Sequence, residues 1–238
     1  MPKIIIGFLF LIFLSGCLEQ DYIPHTIIHK AIDYHGGMES WELLDSLHYH
    51  KQSVLYFENG QTESEKSEYY QIKFHPTYSV KVVENDSVEI LFDQNHYRKY
   101  LKASDKILSV TKQDTTNIES ALFVIGQLFL LKEDSKLLTF EGTELISGVE
   151  CFVVRADYSV QGKENHPWWY YISKYDYRLI ASRVYHSPDY ALIVNESYQK
   201  FQNILWNKER TTYRVDSLNA IQFIRAKYVY NFGEKGNM

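Results

Sequence analysis

Cysteine is scarce in this chain, which has only two, Cys17 and Cys151. Cys17 ends an apolar leader, so Cys151 is the one thiol left for the folded part and no intramolecular disulfide is expected. Cys151 lies in an apolar stretch, which predicts a small buried hydrophobe rather than a nucleophile. The chain is long enough to bury a core without such cross-links.

Several other features are missing, and each absence excludes a class of function. No block or stripe of basic residues occurs and the formal net charge is −5, which argues against nucleic acid as a partner. There is no G-x-S-x-G turn and no glycine-rich phosphate loop after a strand. Catalytic residues and cofactors are therefore not expected.

Metal binding is considered because the chain has nine histidines. His25 and His29 are spaced to share a helix face, and His48 and His50 share a strand face. A metal site needs a third or fourth ligand converging on such a pair, and no His-Glu-x-x-His or Cys-x-x-Cys is present. The simpler interpretation of His48 and His50 is solvated side chains on a polar face, and no metal site is predicted.

The amino terminus has the pattern of a secretory signal. Lys3 precedes the apolar run Ile4–Leu14, which is too short to span a bilayer because spanning takes about 20 apolar residues. The tetrapeptide Leu14-Ser15-Gly16-Cys17 resembles the lipobox of bacterial lipoproteins. That resemblance implies cleavage before Cys17 and lipidation of its thiol; the alternative is an ordinary cleaved signal with a chance cysteine.

The expected organisation follows from this leader. Residues 1–16 are predicted to be a cleaved lipoprotein signal peptide, residues 17–24 a lipidated tether, and residues 25–238 a single β-domain. Three lipid chains, as such lipoproteins carry, would attach the protein permanently, since stable anchoring takes at least two. The expected location is the bacterial cell envelope, at the outer membrane, with the membrane as the partner through the anchor.

The folded part is predicted to be mainly β with helices (α+β). Twenty Tyr and thirteen Phe favour pleated, half-buried surfaces. Thr26–His35 carries a helical apolar stripe that ends at Gly36-Gly37. From Leu47 the apolar period becomes two, and turn signals separate about eleven short strands. So many antiparallel strands favour an incomplete, strongly curved barrel.

One helix interrupts the strands. Ala121–Leu131 is apolar on nearly every side, which indicates burial rather than exposure. Thr116 and Glu119 have the spacing of a capping box at its start. We expect this helix to cover the open side of the sheet.

The chain resembles a family of bacterial lipoproteins in the LolA/LolB-like, outer-membrane lipoprotein-sorting superfamily. The segments that carry the resemblance are the lipobox, A31-I-D-Y-H-G-G-M-E-S-W41, the apolar helix, G148-V-E-C-F-V-V154 and W168-W-Y-Y-I-S-K-Y-D-Y-R-L-I180. The resemblance implies a strongly curved, incomplete antiparallel β-barrel with covering helices. It also implies an apolar concave face that binds acyl chains in well-studied members.

Three functions remain open from the sequence. The first is a non-enzymatic, membrane-anchored protein that binds an apolar ligand, a lipid or the acyl chains of a lipoprotein. Its expected ligand contacts are Phe123 and Phe129 on the helix and Trp168 and Tyr170 on a strand. The second is a structural or protein-interaction module with a filled core, and the third is an envelope hydrolase without a recognisable motif. The oligomeric state is not predicted.

Overall fold

The structure is a computed structural model, and it describes residues 23–131, 138–158 and 167–234. In these ranges the helices are α1 (Pro24–Tyr34), α2 (Gly37–Glu42) and α3 (Lys112–Leu131). The strands are β1 (Ser46–Tyr56), β2 (Thr62–Lys73), β3 (Ser79–Glu84), β4 (Val88–Asp93), β5 (His96–Leu101), β6 (Lys106–Leu108), β7 (Leu138–Ile146), β8 (Val149–Ala156), β9 (Trp168–Ser173), β10 (Leu179–His186), β11 (Asp189–Phe201), β12 (Ile204–Val215) and β13 (Ile221–Phe232).

All these strands form one antiparallel sheet in the order β6-β5-β4-β3-β2-β1-β13-β12-β11-β10-β9-β8-β7. Two meanders are joined at the centre, where β1 pairs with β13. The outermost strands β6 and β7 do not pair with each other, so the predicted open, curved antiparallel architecture with helices is confirmed. The sheet has thirteen strands rather than about eleven, partly because three-residue β6 is too short to show an alternating pattern.

The inner face of the sheet, defined here as the face that carries the helices, holds the main core. Alternate residues of most strands point to this face, and α1 adds a stripe of four buried apolar residues, Ile27, Ile28, Ala31 and Ile32. This stripe is the one predicted from the sequence. No helix of the described residues is long and apolar enough to span a bilayer.

The outer face, opposite the helices, has a second buried cluster on β8 to β12. The β12–β13 turn covers part of it: the Asn219 side chain donates hydrogen bonds to Glu144 Oε2 (2.8 Å) and to the Tyr171 hydroxyl (3.0 Å). Arg183 lies beside the turn, 4.1 Å from the ring centre of Trp169, and donates to Asn219 Oδ1. This cluster explains how a single sheet buries aromatic residues on both faces.

Candidate functional site

Helix α3 is held against the inner face by its first turn. The Thr111 hydroxyl accepts a hydrogen bond from the Asp114 N–H (3.2 Å), and the Asp114 carboxylate accepts one from the Thr111 N–H (2.8 Å). This reciprocal pair is a capping box, so the predicted box at Thr116 and Glu119 is wrong. Lys99 on β5 donates to both Asp114 oxygens (2.9 and 3.0 Å), and the two residues thereby join the helix to the sheet.

The true start was missed because Lys112 to Asn117 is polar. The sequence pattern places the helix start just before the apolar residues, whereas the twenty-residue helix begins earlier, with a polar segment in which only Asp114 is buried. The predicted burial of its apolar part is confirmed: α3 buries most of its carboxyl-terminal half, including Ile125, Leu128 and Leu131.

Phe129 lies in the interior. Its ring stacks on Trp41 of α2 with 4.8 Å between ring centres, and Trp41 contacts Trp206 of β12 at 6.2 Å. Trp41 also contacts Gly126, where a Cβ atom would lie 2.5 Å from the indole. The glycine in mid-helix therefore provides the space that Trp41 occupies.

The other three predicted ligand contacts lie together. Phe123 of α3 meets Trp168 edge to face at 5.3 Å and Tyr158 at 5.7 Å, and Trp168 stacks on Tyr170 at 6.3 Å. The Tyr158 and Tyr170 hydroxyls are hydrogen-bonded at 3.0 Å, and burial raises the pKa of Tyr170 well above its usual value. Phe123, Tyr158 and Trp168 remain partly exposed, so this aromatic cluster forms a wall beside α3 that solvent reaches. Phe129 is not part of it.

The aromatic side chains of residues 168–171 alternate between the two faces of the sheet. Trp168 and Tyr170 face the helices, whereas Trp169 and Tyr171 lie in the outer-face cluster. Trp169 donates a hydrogen bond from Nε1 to Glu141 (2.7 Å). The outer pair is therefore part of a second core rather than of a ligand surface.

Cavities under α3 are small in the described part of the chain. One of about 40 Å³ is lined by Tyr49, Lys51, Tyr70, Asn117, Ser120, Ala121, Val124 and Tyr230. Another, of about 10 Å³, lies near His35, Phe129 and Trp206. For comparison, a cavity of about 150 Å³ binds benzene. Neither of these two volumes between the helices and the described part of the inner face is large enough for an acyl chain.

The larger of these two cavities adjoins two cationic side chains of the inner face, Lys51 and Arg210, which together form the cationic corner. Lys51 on β1 forms an ion pair with buried Glu68 (2.8 Å). Arg210 on β12 is 4% exposed, and its Nη1 donates a hydrogen bond to the Val124 carbonyl of α3 (2.8 Å). These polar contacts were not predicted, because Lys51 and Arg210 occupy ordinary alternating positions and sequence does not distinguish buried cations from exposed ones.

The histidines do not gather into a metal site. Within the described ranges no three His, Cys, Asp or Glu residues are placed to hold a metal ion. The expectation that His50 is solvated is wrong: it is 8% exposed, stacks on Tyr69 at 4.2 Å and contacts the Ser67 hydroxyl at 2.8 Å. His29 lies 3.8 Å from Asp33 on α1, and both side chains are exposed.

The remaining thiol, that of Cys151, is a poor nucleophile. Cys151 is fully buried in the outer-face cluster, and burial raises its pKa to about 12. A thiol with that pKa is almost entirely protonated at neutral pH and is a poor nucleophile, which confirms the interpretation as a small buried hydrophobe. Cys17, the predicted lipidation site, lies outside the described residues.

Comparisons with known proteins identify the fold of this chain. No protein-family model and no curated protein matches the chain. Among solved structures it is similar to a putative outer membrane lipoprotein-sorting protein domain from Vibrio parahaemolyticus, with 11% identity over 89% of this chain and 94% of that one and a TM-score of 0.52. A LolA superfamily protein from Nitrosomonas europaea has 9% identity over 90% and 92%, with a TM-score of 0.52.

A third similar structure is a DUF1329 family protein from Desulfovibrio piger, with 11% identity over 89% of this chain and 91% of that one and a TM-score of 0.51. In each case the match spans nearly the whole of both chains, so it covers the sheet and its helices together. The open antiparallel sheet with helices on its inner face is therefore a LolA/LolB-like fold.

Proposed function

We propose that this protein is a lipoprotein of the bacterial envelope that binds an apolar ligand, without catalysis, between α3 and the inner face of the sheet. The observation that carries the proposal is α3 itself, an apolar helix laid across the inner face of a LolA/LolB-like sheet. The ligand class is a lipid or the acyl chains of a lipoprotein. The similarity to an outer membrane lipoprotein-sorting domain supports this class.

The filled interior makes displacement of α3 part of the proposal. A few polar contacts tie the helix to the sheet. They are Asp114 to Lys99, Glu119 to the Tyr97 hydroxyl at 3.1 Å, the Val124 carbonyl to Arg210, and Gln127 to Ser182 at 3.3 Å. Apart from these contacts and the polar cavity beside Lys51, the interface is largely apolar. An acyl chain that enters when the helix moves outward lies against this apolar wall.

The aromatic cluster is the proposed point of first contact. Phe123, Trp168 and Tyr158 are partly exposed beside α3, and aromatic side chains contribute large contact areas at a binding surface. Tyr170 lies beneath them, and Phe129 is proposed to meet the ligand only after the helix has moved.

Binding is tested with the delipidated mature chain and a fluorescent fatty acid, together with native mass spectrometry of gently purified protein. We expect one co-purified lipid per chain and saturable fluorescence. Phe123→Ala should weaken binding severalfold. Phe57→Ala is the matched control, because Phe57 is 50% exposed and lies outside the aromatic cluster. Absence of both co-purified lipid and fatty-acid binding would overturn the proposal.

The location is proposed with the function. Lipidation of Cys17 and attachment at the outer membrane would hold the ligand site at one membrane surface. Separation of inner and outer membranes followed by detection of the chain tests this. Recovery of the wild-type chain only in the soluble envelope fraction would contradict it.

A second function is favoured by the small interior volumes, about 40 and 10 Å³. A filled core suits a structural or interaction module of the envelope that acts through its surface. Under this alternative the wild-type chain binds no lipid, and substitutions at Phe123 change stability alone. The fatty-acid titration therefore separates the two functions.

A further inference from the structure

Two cations, Lys51 and Arg210, and one carboxylate, Glu68, lie in the corner beside the larger cavity. Lys51 pairs with Glu68, and the side chain of Glu68 is only 2% exposed. Among the described residues no acidic side chain pairs with Arg210, which lies among tyrosine side chains. This corner therefore carries one positive charge in excess.

Arg210 is poorly satisfied for a buried arginine. Its Nη1 bonds to the Val124 carbonyl and its guanidinium lies 5.1 Å from the ring centre of Tyr230, but its buried Nε has no hydrogen-bond partner. Arginine carries five N–H donors. A buried charge without a counter-charge destabilises a fold, so the protein retains here a group that an anion would stabilise. Burial also lowers the pKa of Arg210.

The same elements build the cavity and hold both cations. Val124 lines the cavity together with Lys51 and Tyr230. In the sheet Lys51 pairs with Tyr230 and Arg210 pairs with Tyr228, so the two cations lie on strands that flank β13. The Lys51 ammonium is 5.9 Å from the Tyr228 ring. The volume of about 40 Å³ has room for a group the size of a carboxylate, or for a few waters.

We propose that this corner binds the anionic head group of an amphiphile, a carboxylate of fatty-acid type, held by Arg210 and Lys51 with its chain under α3. The inference rests on the proposed function and narrows its ligand class. Arg210 supplies a guanidinium suited to a planar carboxylate. Lys51 supplies a second charge, and Asn117 and Ser120 supply polar side chains from the helix above.

The test compares a fluorescent fatty acid with its methyl ester, which keeps the chain and removes the charge. The mature, delipidated wild-type chain should bind the acid at least tenfold more tightly. Arg210→Met should reduce that preference to about twofold while ester binding is retained. Arg183→Met is the matched control, since Arg183 is also buried but lies in the outer-face cluster against Trp169, and it should keep the full preference.

The wild-type comparison decides the matter even if Arg210→Met does not fold. Equal binding of acid and ester by the wild type would overturn the inference and leave the proposed function standing, whereas binding of neither would overturn the proposed function itself. Acetate tests for a free small anion. If acetate raised the melting temperature as much as the fatty acid does at equal occupancy, the assignment to a lipid head group would be wrong.

Discussion

His35 makes the stability of this fold depend on pH in a defined window. It ends α1 and is 2% exposed, with both ring nitrogens engaged: Nδ1 is 2.6 Å from the Leu205 carbonyl and Nε2 accepts the Leu179 N–H at 3.2 Å. The first contact requires Nδ1 to be the donor, so the neutral ring bridges α1 to β10 and β12. Burial lowers its pKa from 6.5 to about 4, against the hydrogen bond to Leu205, which raises it.

The sign of the pH dependence follows from the lowered pKa of His35. Because the unfolded chain takes up the proton at higher pH than the folded chain does, acid favours unfolding. The contribution of neutral His35 is complete above its unfolded pKa of 6.5 and is lost as the pH falls towards about 4. At 1.36 kcal/mol per pKa unit, the loss is about 2 kcal/mol between about pH 7 and about pH 5 and about 3 kcal/mol near pH 4.

Urea unfolding followed by tryptophan fluorescence measures this loss. His35→Gln should be less stable than wild type near neutral pH but flatter with pH, so that the two stability curves converge by about 2 kcal/mol between about pH 7 and about pH 5. His96→Gln, at an exposed histidine of β5, should run parallel to wild type. Parallel curves for His35→Gln and wild type would refute the reasoning, since the titrating group would then lie elsewhere.

Three further predictions concern the helices and the anchor. Gly126→Ala should lower the stability of the fold by about 1–3 kcal/mol, because the added Cβ meets Trp41. This loss outweighs a gain of about 1 kcal/mol in helix propensity. In a Trp41→Phe background the same change should lower the melting temperature less. Thr111→Ala should cost about 1 kcal/mol through loss of the cap, whereas exposed Thr116→Ala should change little. Cys17→Ala should remove incorporation of a labelled fatty acid without changing the circular dichroism spectrum, and label retained by that variant would show that another residue is modified.

The sequence predicts the sheet well because its signals are local. Alternation along each strand, turn pairs such as Asn59-Gly60, and the apolar stripe of α1 each lie within a few residues of one another. The apolar half of α3 is equally local. These signals were sufficient for the open curved architecture that the structure confirms.

The interior contacts depend on distant residues, and here the sequence fails. From the sequence alone, Gly126 is expected only to lower the stability of α3. In the structure it provides the space that Trp41 occupies. The sequence pattern predicts an exposed strand residue at Arg210. In the structure α3 covers it, and the carbonyl of Val124, 86 positions away, accepts its hydrogen bond. The sequence predicts a solvated face for His50, but Tyr69 and Ser67 of β2 contact it and it is buried. Each of these residues is defined by a partner on another element.

A filled interior is compatible with lipid binding if the helix and the ligand are close in energy. Moving α3 away exposes Ile118, Ile125, Leu128, Phe129 and Leu131, which are each at most 6% exposed. At about 1.5–3 kcal/mol per large apolar side chain this costs about 8–15 kcal/mol. A sixteen-carbon chain gains about 12 kcal/mol at about 0.8 kcal/mol per CH₂. The two quantities are comparable, so under the proposed function a long acyl chain would offset most of the cost of moving the helix and a short one would not. Affinity for fatty acids should therefore rise steeply with chain length, and equal affinity for short and long chains would contradict this mechanism.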